Sequence, residues 1–225
     1  MHLSRAKLSS NGIAKHLTPG HLHRLETIST AVDLAGGQVL EPDSSGEQPL
    51  YFLVDAVASV WIEWGADAPR LAIALVGNEG VVGLSHLWAS SATPWVSRVL
   101  KPGLAYRTTG SELRTLLEQV PDFAKSLSQF LWNQTQEIAQ YSARTQQGDI
   151  RTRLALWLHL LLEKTGDQFL EITHQELADM LGTRRVSITI TAGLFQDEGI
   201  LSLRRGAIHI RNPQALAQAA GLPPT

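Results

Sequence analysis

Residues Thr173 to Arg211 read THQELADMLGTRRVSITITAGLFQDEGILSLRRGAIHIR, and the rest of the chain takes its meaning from them. Thr173 and Glu176 have the S/T-x-x-E spacing of a capping box, in which each side chain satisfies a free amide at a helix start. A helix is therefore predicted here, with Leu177, Ala178, Met180 and Leu181 on its apolar face. Gly182 falls where that helix must stop, because a residue without a Cβ enters the left-handed conformation at little cost. A second helix follows, in which periodicity turns Ile188, Leu194 and Phe195 inward and leaves Arg184, Arg185, Ser187, Thr189 and Thr191 on other faces. Ala178, Gly182 and Ile188 set a small residue where two helices touch, glycine at the turn and an aliphatic plug behind the second helix. Such a pair crosses at a steep angle.

After Gly199, the runs Ile200–Leu203 and Ala207–Ile210 predict two short strands joined at Arg204-Arg205-Gly206, a turn that carries positive charge outward. The segment then reads as a helix-turn-helix with a wing, a device for reading DNA. The competing reading is a helical hairpin and a β-hairpin that only pack together.

The chain has 225 residues, 44% of them hydrophobic, enough for one large or two ordinary domains with a real core. Its formal charge is −2, so no overall basic field holds it on nucleic acid and charge has to be read locally. Between Thr183 and Arg211, five arginines (184, 185, 204, 205 and 211) stand against Asp197 and Glu198, a formal +3. DNA affinity would rest on a few arginines, with a salt dependence set by the phosphates they contact. The absence of cysteine excludes disulfides, thiolate metal sites and iron–sulfur ligation by cysteine. No long apolar run opens the chain, so neither a signal peptide nor a membrane span is expected, and a cytoplasmic location follows.

Residues 1–16 are polar and mixed, and loose order is expected of them. Thr18-Pro19 then reads as an N-cap with proline at the first helical position, opening a short helix with Leu22, Leu25 and Ile28 inward. His16, His21 and His23 invite a metal hypothesis, but they flank a helix start without carboxylates nearby, so a solvated helix end is preferred and no metal ligand is assigned. From Val32 to Thr108 the texture is short runs rich in valine, leucine and tryptophan, broken by turns at 36–37, 43–46, 65–69, 77–80 and 102–103. Strands are predicted at 50–63, 70–76, 95–100 and 104–108, too many and too short for βαβ units, and a small barrel or roll fits. Trp61, Trp64, Trp88 and Trp95 are assigned to sealing its core, with ligand stacking as the alternative.

Thr109 and Glu112 form a second capping box before Leu113, Leu116 and Leu117. From Asp122 to Arg144, Phe123, Leu127, Phe130, Leu131, Ile138 and Tyr141 recur at three- and four-residue steps, with Gln134 holding the register. That stripe either packs on its own roll or pairs with a second copy; the coiled-coil-like spacing of Leu127, Leu131, Gln134, Ile138 and Tyr141 favours a homodimer. Gln147-Gly148-Asp149 breaks the helix, and Asp149 caps another bearing Ile150, Leu154, Trp157, Leu158 and Leu161.

A glycine-punctuated roll, a long helix and a C-terminal winged helix-turn-helix resemble the catabolite-activator/FNR (CRP/FNR) family of bacterial transcription regulators over nearly the whole chain. The segments carrying the likeness are Ile172–Ala178, Leu181-Gly182, Phe195–Leu201 and Arg205-Gly206, with Tyr51-Phe52 and Gly77–Leu84 in the roll. The resemblance implies an α+β fold: a cyclic-nucleotide-binding-like β-roll at 17–120, a dimerisation helix and hinge at 121–147, and a winged helix-turn-helix at 148–225. It implies double-stranded DNA and a second copy of the chain as partners, RNA polymerase as a further one, and no membrane. Thr173, Arg184, Arg185, Val186, Ser187, Thr189, Arg204 and Arg205 become the DNA-binding set, and Gly83, Leu84 and Thr93 mark the effector position of the roll.

Departures from the family pattern sharpen these expectations. Members that bind cyclic nucleotides carry a glutamate after the second glycine of the roll's phosphate loop and an Arg-Ser or Arg-Thr pair some ten residues on. Here those positions hold Leu84 and Thr93-Pro94, and Arg98 would serve only if the loop were re-registered. Without an arginine a buried phosphate is not neutralised, so no tight cyclic-nucleotide binding and no cofactor are expected, and the effector is left unassigned. In the recognition helix the family's Arg-Glu pair and later arginine become Arg185, Val186 and Ile190. Arg185 keeps the bidentate contact to guanine, Val186, Ser187 or Thr189 is left for thymine methyls or phosphates, and Arg184, Arg204 and Arg205 go to phosphate. A cupin-like enzyme is the rival from another class, but His86 is the only histidine between 32 and 108, and no triad spacing or Walker loop supplies catalysis elsewhere. A protein-interaction module is the second rival.

Overall fold

The computed structural model describes residues 7–40, 49–63, 70–84, 87 and 95–222. It divides into two compact units, residues 1–62 with 73–137 and residues 63–72 with 138–225. Trp64, Trp88, Thr93 and the turns at 43–46 and 65–69 lie outside the described residues.

The first unit is a roll of two four-stranded sheets. Its strands are β1 (Thr30–Leu34), β2 (Val39–Leu40), β3 (Leu50–Leu53), β4 (Val57–Ile62), β5 (Leu71–Val76), β6 (Val81–Val82), β7 (Trp95–Lys101) and β8 (Gly103–Thr108). One sheet runs β1-β8-β3-β6 and the other β2-β7-β4-β5. The single strand expected at 50–63 is two strands in different sheets. Between them Val54 N donates to Leu104 O at 3.0 Å, and Leu104 N donates to the Asp55 carboxylate, so the chain turns a corner held by the start of β8. Gly103 makes room for it: a Cβ there would lie 2.4 Å from Asp55 Oδ1. All four residues of β3 are buried, so no inside–outside alternation marked where one strand ended. Trp61 seals the core as expected, its Nε1 donating to Ser59 Oγ at 2.7 Å. Trp95 does not: it starts β7 opposite Ile62, at the end of that ladder, and is 41% exposed.

The N-terminal segment also departs from expectation. Residues 8–16 are ordered in two 3₁₀ turns, Leu8–Ser10 and Ala14–His16, and Leu8, Asn11, Ile13 and Ala14 are buried. Asn11 does the tethering. Its Nδ2 donates to Leu53 O at 2.8 Å and Gly80 O at 2.7 Å, and its Oδ1 accepts from Ile13 N and Ala14 N. Gly12 follows so closely on the roll that a Cβ would meet Glu79 Cα at 2.6 Å. Helix α1 (Pro19–Thr27) then starts as expected, with Thr18 Oγ1 accepting from His21 N; Leu25 is buried and Leu22 and Ile28 half-buried, while His16 and His23 are exposed.

Helix α2 (Gly110–Gln119) opens with the Thr109/Glu112 capping box, and α3 (Pro121–Gln147) follows after Val120. Phe123, Leu127 and Phe130 of α3 are buried in the first unit, Phe123 facing Phe52 with ring centroids 6.2 Å apart. The Phe130 ring lies where a Cβ on Gly80 would be, 2.2 Å from its Cε2. The apolar stripe is thus divided. Its first half packs on the roll, the alternative weighed above, whereas Leu131, Gln134, Ile138 and Tyr141 stay half-buried at 3-4-3 spacing.

In the second unit Asp149 caps α4 (Ile150–Thr165) by accepting from Thr152 N at 2.9 Å, and Leu154, Trp157, Leu158 and Leu161 are buried. Trp157 joins three elements. Its ring meets Tyr141 edge-on at 5.0 Å, and its Nε1 points at Met180 Sδ at 3.1 Å. Burial pushes the Tyr141 phenol well above its ordinary range, with Arg153 opposing. A short strand β9 (Phe169–Leu170) leads into α5 (His174–Met180) and α6 (Arg185–Asp197), and then into the strands β10 (Leu201–Arg204) and β11 (Ala207–Ile210). β9 completes an antiparallel three-stranded sheet in the order β10-β11-β9, and α7 (Pro213–Ala219) packs on α4. Among the described residues no helix is long and apolar enough to cross a membrane.

Candidate nucleic-acid interface

Helices α5 and α6 are held at their crossing by the residues the spacing singled out. Thr173 Oγ1 accepts from Glu176 N at 3.1 Å while Glu176 Oε2 accepts from Thr173 N at 2.7 Å, the reciprocal box predicted. Gly182 takes φ +57°, the left-handed turn, and Ala178, Ile188 and Phe195 are fully buried behind it. The Thr173 hydroxyl also donates to Glu176 Oε2 at 2.8 Å, so its polar capacity is turned to the cap rather than outward.

Helix α6 has an open N-terminus. Its N-cap, Arg184, provides no side-chain cap, and no acidic residue stands in its first turn. The positive end of the helix dipole and its free amides therefore stay available, and Arg184 and Arg185, both exposed, add two formal charges at the same place. At the other end Glu198 is held by Arg151 of α4 through two bonds of 2.7 and 2.6 Å, with the guanidinium 4.7 Å over the Phe195 ring. That pairing draws the Glu198 carboxyl below its usual range. It also orients one of only two acidic groups in this segment toward α4.

Thr189 sits where the two helices meet. Its hydroxyl donates to Arg185 O at 3.0 Å and lies 3.0 Å from His174 Nδ1, so it is committed within the protein. His174 was missed by sequence reasoning, because nothing in a lone histidine at the first position of a helix signals a partner fifteen residues on. Burial first, and the neighbouring Arg185 charge second, lower its pKa from the ordinary 6.5. In the unfolded chain the imidazole protonates more readily, so stability is full above pH 6.5 and falls as pH drops through and below that value toward the lower folded pKa. His174→Gln is expected to flatten this acid-side decline in a pH series of urea unfolding; an unchanged slope would assign the decline to other groups.

Two residues of α6 stand opposite to expectation. Leu194, expected inward, is 49% exposed, and Thr191, expected on an outer face, is buried with its hydroxyl donating to Ser187 O at 2.8 Å. The buried face runs through Ile188, Thr191, Ala192 and Phe195, and the period of 3.6 residues per turn then carries Leu194 away from it. Ser187 is half-buried and Val186 fully outward. Beyond α6, Leu203 N donates to Gln196 Oε1 at 2.9 Å, tying the wing to the helix. Arg204 and Arg205 are exposed at the wing turn, where Gly206 takes φ +76°. In the roll, Leu84 is buried and Gly83 takes φ +94° with its Cα hydrogens against Pro49 O, where a Cβ would come within 2.4 Å. Leu84, at the position that the family resemblance marks for an effector, thus presents an apolar side chain turned into the core.

Residues 152–219 match the Crp-like helix-turn-helix domain family. The C-terminal domain is a Crp-like helix-turn-helix domain. Comparison with curated protein sequences gives no match. Among solved structures, the chain is similar to a regulator assigned to the Crp/Fnr family from Eubacterium rectale, with TM-score 0.74 and 15% identity over 95% of this chain and 99% of that one. It is also similar to the c-di-GMP-responsive global regulator CLP of Xanthomonas campestris, with TM-score 0.70 and 18% identity over 87% and 100%. A CRP/FNR-family regulator of Thermus thermophilus gives TM-score 0.69 and 20% identity over 85% and 98%. At these identities the likeness is one of fold. With a β-roll and long helix ahead of the Crp-like domain, the chain has the fold of these CRP/FNR-family regulators.

Proposed function

We propose that the protein acts as a homodimer, setting two α6 helices into successive major grooves about one helical turn apart on a near-palindromic operator, without a cyclic nucleotide. The observation that carries this is the open, arginine-flanked N-terminus of α6 beside a wing tip bearing Arg204 and Arg205. The half-buried set Leu131, Gln134, Ile138 and Tyr141 supports α3 as the dimer seam, since a second helix would complete its burial. Residues 17–120, 121–147 and 148–225 then serve as roll, dimer helix with hinge, and reader. Leu84, buried and apolar, supports independence from cyclic nucleotides because it leaves no acceptor for a ribose hydroxyl.

Selection of bound duplexes from random DNA by the purified protein, with no ligand added, tests the proposal. A two-fold symmetric site is expected; no enrichment without ligand would refute ligand independence. Within such a selection, Arg185→Ala is expected to flatten preference at one base pair per half-site, a loss of about 1–3 kcal/mol of discrimination. Arg205→Ala should weaken all sites alike and lower the salt slope by about one unit. Equal behaviour of the two variants would show that base reading and phosphate holding are not divided in this way.

A further inference from the structure

The exposed face of α6 carries an apolar stripe. Val186, Ile190 and Leu194 are 67%, 61% and 49% exposed and stand four residues apart, so they line one side of the helix. The other large apolar side chains exposed among the described residues, Leu71, Trp95, Trp132 and Phe169, are scattered through other elements, the ordinary condition of a protein surface. Three in a row on a helix whose opposite face is fully buried is different, because a solvated helix face is normally polar. Arginines flank the stripe, Arg184 and Arg185 at its start and Arg204 and Arg205 across the wing, while Thr189 beside it has its hydroxyl turned to Arg185 O and His174. Whatever covers the stripe therefore offers apolar groups between two lines of negative charge.

A major groove offers this combination. Its walls are phosphates, and its only apolar group on a natural base edge is the 5-methyl of thymine. Val186 and Ile190 lie about 6 Å apart along the helix axis, which spans roughly two base-pair steps. We infer that Val186 and Ile190 are specificity residues that read thymine 5-methyl groups at two positions of each half-site about two base-pair steps apart, beside the single guanine contact of Arg185. This rests on the DNA-reading assignment of α6. The operator is thus recognised largely by methyl groups, and a site in which cytosine replaces those thymines is rejected unless the cytosine is 5-methylated.

The experiment uses the full-length protein and its selected site, with each thymine of a half-site replaced singly by deoxyuridine, which removes the methyl and keeps the pairing. Affinity is read by fluorescence anisotropy. Deoxyuridine is expected to weaken binding about fourfold at each of two positions, the effect of losing one buried methyl group. Val186→Ala and Ile190→Ala, both at exposed helical positions where alanine keeps the fold, should each abolish the thymine/deoxyuridine difference at one position. At those positions 5-methylcytosine should bind better than cytosine by a similar factor. Tight binding that is indifferent to deoxyuridine everywhere overturns methyl reading while leaving DNA binding intact; failure to retain any duplex refutes the assignment beneath it. If Ile190→Ser changes the sedimentation of the free protein and not the deoxyuridine ratio, the stripe is a protein-contact surface and the inference falls.

Discussion

Replacing Asn11 by alanine is expected to destabilise the roll by on the order of 3 kcal/mol, a large effect for one polar side chain near a chain start. The reason is the number of groups that depend on it. Its amide nitrogen serves two carbonyls, Leu53 O and Gly80 O, that belong to different parts of the roll, and its oxygen serves the amides of Ile13 and Ala14. Asn11 is fully buried, so water does not replace it, and the groups left unpaired carry their desolvation cost, although Gly80 O keeps a second donor in Leu53 N at 3.3 Å. Asn11→Asp should be worse still, because a carboxylate oxygen would face the two carbonyls without a proton to share. Urea unfolding monitored by circular dichroism measures both. A loss within about 0.5 kcal/mol, the range of ordinary surface substitutions, would mean that the 8–16 segment does not help to hold the roll.

Trp157→Ala carries the second large effect, about 3–5 kcal/mol on the unit that contains the Crp-like domain. Trp157 is 1% exposed and touches both the end of α3, through Tyr141, and α5, through Met180. Its removal leaves a cavity where the long helix meets the support of the reading head, and α5 loses the partner that fixes its height against α4. Trp157→Phe keeps an aromatic edge for Tyr141 and loses the N–H contact to sulfur together with part of the indole's volume, so it should cost about 1–2 kcal/mol. Calorimetric unfolding gives the stabilities, and anisotropy on the selected operator gives the consequence for DNA. The alanine variant should lose affinity and the phenylalanine variant should keep most of it. Equal stability of the two variants would show that the ring contact, and not merely volume, is unimportant here.

Local signals reached the reading head almost completely. Both capping boxes, the turn glycine at 182, the N-cap at Asp149 and the wing turn at Arg205-Gly206 stand where the sequence puts them, because each is decided by the conformational preferences of two to five neighbouring residues. The roll was legible as β-structure but not as two sheets. Hydrophobicity does not show where a strand buried on both sides changes sheet, and Asp55 marks that corner only through Leu104, forty-nine residues away.

What tertiary structure alone decided is who covers whom. The periodicity of α3 could not say which apolar residues would meet the roll; Phe130 is buried because Gly80 leaves room for its ring, whereas Leu131, one residue on, stays half-buried. In α6 the sequence spacing placed Leu194 within the core, and only the packing of Phe195, Ala192 and Thr191 turned it outward into line with Val186 and Ile190. An apolar residue announces a wish to leave water, a property of its own side chain. Whether the protein meets that wish or leaves it for a partner depends on which surfaces the fold brings near, and that is written in contacts between residues far apart in the chain.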